Sequence, residues 1–138
     1  SSKASVSSQR RNHNLNMVAE KRYTQNQLTK IFAAQVKKSS ADLRFIWHNF
    51  TDGSSLRLSM TGYQFVVKEL KLQVYQFELD KPLTNKNLLQ LERFFPGPYY
   101  YWSRTAKFIV FDEQDAMWLE LHGSNLAGYL ENLEKNHQ

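Results

Sequence analysis

With 138 residues, of which 41% are hydrophobic and 14% aromatic, the chain suits one compact domain that closes a core without covalent staples, which excludes disorder throughout. Cysteine is absent, which removes disulfides, thiolate zinc sites, iron–sulfur clusters and cysteine nucleophiles together; no apolar run approaches the roughly 20 residues of a membrane helix and the Ser-rich start has no secretory pattern, so an intracellular protein without a membrane partner is expected. The net charge of +5 is uneven: residues 1–48 carry nine Lys or Arg against Glu20 and Asp42, residues 105–138 carry two against six acids, and a basic front favours an anionic partner, nucleic acid first.

Residues 1–22 are rich in Ser, Asn, Gln, Lys and Arg, with too few large apolar groups to offset the entropy of ordering. They read as a flexible basic arm ahead of a single domain over 23–138. Thr24 and Gln27 form a capping box, and Leu28, Ile31, Phe32 and Gln35 or Val36 recur at helical spacing, predicting a first helix over 25–38 with Leu28, Ile31 and Phe32 inward. After Ser39 and Ser40, Leu43, Ile46, Trp47 and Phe50 fall at i, i+3, i+4 and i+7, which predicts a second short helix and makes Trp47 and Phe50 core residues. Leu56-Arg57-Leu58 alternates like a short strand. Ser59 or Thr61 can then cap a helix with Tyr63, Val66, Val67 and Leu70 on one face. Over 72–79, Tyr75, Phe77 and Leu79 alternate with Gln76 and Glu78 as in a half-buried strand, closed by Lys81-Pro82.

Thr84 is placed to cap a helix carrying Leu88, Leu91 and Phe95, which Pro96-Gly97-Pro98 stops. Residues 99–102 and 107–111 are β-prone runs joined by 103–106, the length of a hairpin loop. Asp112 can cap a helix with Glu113 and Asp115 in its first turn and Met117, Trp118 and Leu121 along it, with Gly123 at its C′ position. Ser124 restarts a final helix bearing Leu126, Tyr129, Leu130 and Leu133. The order predicts an α+β fold: about six short helices with a small antiparallel sheet.

Catalytic chemistry lacks its parts. His13, His48, His122 and His137 stand alone, and there is no Gly-rich phosphate loop, GxSxG or GxGxxG, so no metal and no cofactor is expected. Asp52 with Glu69-Leu70-Lys71 has the acidic and E-x-K parts of a restriction-type nuclease only superficially, because Glu69 falls at a helix end rather than in a strand. Asp112, Glu113 and Asp115 are what a helix N-terminus asks for. No catalytic residues are assigned, and the chain is expected not to be an enzyme.

Two features can bind. Arg10, Arg11, Lys21 and Arg22 in the arm, with Lys30, Lys37, Lys38 and Arg44 on or after the first helix, can contact phosphates of DNA or RNA and release condensed counterions; solvated surface charge is the plainer reading. In Tyr99-Tyr100-Tyr101-Trp102-Ser103-Arg104 a strand sends alternate rings to opposite faces. Tyr99, Tyr100, Tyr101 and Trp102 can stack on bases with Arg104 near a phosphate, anchor a protein partner, or form a second core layer under a helix. The expected function is a non-enzymatic nucleic-acid-binding accessory protein; the alternative is a protein-interaction or virion-assembly module anchored by the aromatic run.

Four stretches, Leu56-Arg57-Leu58-Ser59-x-Thr61-Gly62-Tyr63, Leu83-Thr84-Asn85-Lys86-x-Leu88-Leu89-x-Leu91, Pro98-Tyr99-Tyr100 and Phe111-Asp112-Glu113-x-x-Ala116-Met117-x-Leu119-x-Leu121-x-Gly123, together resemble a pattern from uncharacterised small proteins of tailed bacteriophages across residues 56–130. The residues concerned are packing and capping signals, so the resemblance implies a phage source, and with it the host cytoplasm, rather than an activity. The helical front is also similar to a helix-turn-helix or winged-helix reader, with Ser39-Ser40 where such a motif prefers a Gly-containing turn.

Overall fold

The computed structural model describes residues 22–36, 43–48 and 55–136, and their arrangement is α+β. Helix α1 (Gln25–Gln35) starts at the expected box: the Thr24 hydroxyl accepts from the Gln27 amide at 3.2 Å, and the Gln27 side chain accepts from the Thr24 amide at 2.9 Å. Leu28 and Phe32 are buried along one i, i+4 row. Ile31, expected inward, is exposed at the rim of that narrow stripe.

The second expected helix does not form. Leu43–Phe45 makes a single 3-10 turn, after which the backbone extends and Trp47 bridges to Leu58 in antiparallel fashion. The His48 amide donates to the Arg57 carbonyl at 2.8 Å, and the Ser59 amide to that of Ile46 at 2.8 Å. Pairing with a distant segment thus satisfies backbone groups that a helix would have used, and the described residues hold fewer α-helices than the six expected. Among the described residues the front therefore holds one α-helix, α1, and not the helix pair of a helix-turn-helix reader. Trp47 still packs, half-buried, stacking on Phe32 with ring centroids 6.2 Å apart and donating its indole N–H to Thr29 Oγ1 at 2.8 Å. Phe50 lies outside the described residues.

Helix α2 (Met60–Lys68) is capped by Ser59, whose hydroxyl accepts from the Gly62 amide at 3.0 Å. Gly62 then passes directly against the Ile46 carbonyl, an approach only a residue without Cβ allows. Strands β1 (Tyr75–Glu78), β2 (Tyr99–Trp102) and β3 (Lys107–Val110) form an antiparallel sheet in the order β1-β3-β2. Its register aligns Gln76 with Ile109 and Tyr100, and Glu78 with Lys107 and Trp102. The short segment at Leu56–Leu58 covers the outer side of β2: the Leu58 amide donates to the Tyr99 carbonyl at 2.7 Å, and the Tyr99 amide to that of Leu56 at 3.1 Å.

Helix α3 (Asn85–Phe94) opens with a second box, between Thr84 and Asn87, and stops ahead of Pro96-Gly97-Pro98. Asp112 caps α4 (Glu113–His122) by accepting from the Gln114 and Asp115 amides at 3.1 and 3.3 Å. Gly123 is not the left-handed C′ residue expected of it. Its φ is −66°, and it leads a 3-10 turn (Gly123–Asn125) that carries the right-handed chain directly into α5 (Leu126–Asn136). Helices α3, α4 and α5 cover one face of the sheet, packing Leu91, Phe95, Leu119 and Leu130 on Tyr99, Tyr101, Phe108 and Val110. On the opposite face Leu28, Phe32, Ile46, Phe65 and Val66 pack on Tyr100 and Ile109.

Candidate functional site

Among the basic residues singled out for phosphate contact, Arg10, Arg11, Lys21, Lys37, Lys38 and the Arg44 side chain lie outside the described residues. Lys30 is exposed on α1. Arg22 is committed elsewhere: its Nη2 lies 3.2 Å from Asp115 Oδ1 and 3.7 Å from Asp112 Oδ2. The cap that starts α4 gathers two carboxylates, one of them buried, and Arg22 is the cation beside them.

Asp115 pairs one oxygen with Arg22, while the other has no hydrogen-bond partner among the described residues and occupies the space that a Cβ at Gly97 would need. Burial raises its pKa from 3.8 to about 6, with Arg22 opposing the rise and Asp112 adding to it. Because the folded value lies above the unfolded one, the folded state binds more protons between pH 3.8 and about 6, so stability falls as pH rises through that window and levels off above it. Urea unfolding across those pH values should show this slope, and Asp115→Asn should flatten it. An undiminished slope in the variant would assign the dependence to another group.

Among the described residues no three His, Asp or Glu side chains gather as a metal site. His122 stacks on Tyr129 with centroids 3.7 Å apart, and burial lowers its pKa; burial and Arg57 lower that of His48.

Of the readings open for the aromatic run, the core layer fits its three tyrosines and exposure fits Trp102 alone. Tyr99, Tyr100 and Tyr101 are 1%, 8% and 2% exposed, whereas Trp102 is 41% exposed. Both sheet faces carry helices, so rings sent in either direction meet a core. Tyr99 stacks on Phe108 at 4.9 Å, and the Tyr101 hydroxyl accepts from the Leu83 amide at 2.8 Å. Burial raises the Tyr99 pKa far above the usual phenol value, with Arg57 opposing. Tyr100 stacks on Tyr63 of α2 at 4.5 Å. Arg104 is exposed in the hairpin turn, where Ala106 takes a φ of 54°.

What stays open is the end of the sheet next to α2. Two cross-strand rows face this side, Gln76–Ile109–Tyr100 and Glu78–Lys107–Trp102. Helix α2 covers the first row with Tyr63, and leaves a cavity of about 150 Å³ bordered by Met60, Gln64, Gln76, Trp102 and Lys107. Sequence reasoning passed over Gln64, Gln76 and Lys107 because each occupies a polar position of its own element. The available signal was the antiparallel alternation, which puts Gln76 on the face that Trp102 shares. A separate apolar feature lies on α4, where Met117 and Leu121 sit one turn apart and Leu121 is 77% exposed. Comparison with known protein families, with curated proteins and with solved structures gives no match to this chain.

Proposed function

We propose that the chain is a nucleic-acid-binding accessory protein without catalytic activity, holding phosphates through lysine and arginine and reading little sequence. The observation that carries this reading is Trp102, a ring open to solvent with Lys107 opposite it in the ladder and Arg104 in the adjoining turn. Among the described residues neither cation is in an ion pair, and an open ring beside free cations is how single strands are held. The positive surplus of residues 1–48 adds to it.

Fluorescence anisotropy with mixed-sequence DNA and RNA tests the reading. Affinity should fall steeply between about 50 and about 200 mM salt, and Lys30→Glu, Arg104→Glu and Lys107→Glu should each make the log–log salt slope shallower by about one. Absence of binding to either polymer at low salt sinks it. The exposed Met117 and Leu121 favour a second reading, in which a protein partner docks on α4 rather than on the buried tyrosines. Leu121→Asp would then abolish that association without touching nucleic-acid affinity.

A further inference from the structure

We infer that the cavity between α2 and the uncovered end of the sheet receives one unstacked base of a single-stranded nucleic acid, with the adjoining phosphate on Lys107. This rests on the nucleic-acid reading and narrows it from any phosphate polymer to single strands.

Size comes first. At about 150 Å³ the space admits one aromatic ring and little more. Its surfaces suit a flat π system: Trp102 borders it from β2, the Tyr63–Tyr100 stack lines it, and Met60 borders it from α2.

Polarity then separates a base from a protein side chain. Gln64 on α2 and Gln76 on β1 reach the cavity from different elements, and both are exposed, their side chains making no hydrogen bond among the described residues. Each amide supplies a donor and an acceptor, the pair that a base edge offers in return. A phenylalanine of a partner would fill the volume yet leave both amides and the lysine without a complement. Charge points the same way, because Lys107 lies between Trp102 and Glu78 in one row and forms no ion pair among the described residues, Glu78 being on the side away from Trp102. Bases inside a duplex are stacked on both faces, so only a splayed base can enter.

The test titrates the full chain, at low salt, with a mixed-sequence single strand and with an abasic strand of equal length and charge. The base-bearing strand should bind about tenfold tighter and quench tryptophan fluorescence. Trp102→Ala and, separately, Gln64→Ala and Gln76→Ala should shrink that difference while leaving abasic binding unchanged; all three positions are exposed, and far-ultraviolet melts verify folding. Equal affinity for the two strands, or variants that weaken both strands equally, overturns the base site and leaves the nucleic-acid reading standing. Failure to bind either strand overturns both.

Discussion

Replacing Phe108 by alanine should cost about 3–5 kcal/mol of folding stability, the loss typical of a large ring removed from a close-packed site. Phe108 sits on the central strand with no exposed surface, 4.9 Å from the Tyr99 ring in a parallel stack and 5.7 Å from Phe95 edge-on. Both partners are themselves fully enclosed, so they have no room to close the void. A domain of this size is stabilised by about 5–15 kcal/mol, and the variant should lie near its unfolding threshold at physiological temperature. Urea unfolding at 25 °C measures it; a loss below about 1 kcal/mol, little more than the contribution of a single buried methylene, would show that the two sheet faces are not packed around this ring.

Gly62→Ala carries the second largest effect, and for the opposite reason. In an ordinary helix the change gains about 1 kcal/mol in propensity. Here the new Cβ would be driven into the Ile46 carbonyl, a backbone group that also accepts from the Ser59 amide and cannot swing aside as a side chain does. The net cost should be about 1–3 kcal/mol, with the contact between α2 and the segment at Ile46 loosened. Gly123→Ala provides the contrast: its φ is right-handed and a Cβ would meet only Leu119 at 4.0 Å, so that variant should be neutral or up to about 1 kcal/mol more stable. Equal melting temperatures for the two variants would mean that the Ile46 approach is not tight.

Features decided within a few residues were legible before any coordinates. The box at Thr24, the Thr84 and Asp112 caps, the proline stop after α3 and the hairpin each depend on neighbours in sequence, and all lie where spacing put them. Strand β1 was legible because only one of its faces is buried, which leaves alternation in the residue types. For β2 the strand was legible but the burial of its rings was not: three consecutive tyrosines read alike whether they form an open platform or touch two cores. The failed second helix has the same origin, since the residues that compete for the backbone near Trp47 arrive from Leu58. Arg22 answers a carboxylate 93 residues away, which no local pattern contains. The cavity by Trp102 belongs to this class too, being assembled from α2 and three strands by register alone.

The two outer strands of the sheet are finished differently. Strand β2 is overlaid by the segment at Leu56–Leu58, but no strand among the described residues pairs with the outside of β1. The Leu79 amide points inward to the Ala106 carbonyl at 2.9 Å, so alternation turns the peptide groups of Gln76 and Glu78 outward. Such a row is a template on which another chain can add a strand. Here the template is four residues long, carries the Glu78 charge, and is bounded by Lys71 in a left-handed conformation on one side and Lys81-Pro82 on the other. Resistance to edge-to-edge aggregation at high protein concentration therefore depends on shortness and charge at β1 rather than on a further paired strand, and the exposed Leu72 and Val74 that flank it make that charge matter more.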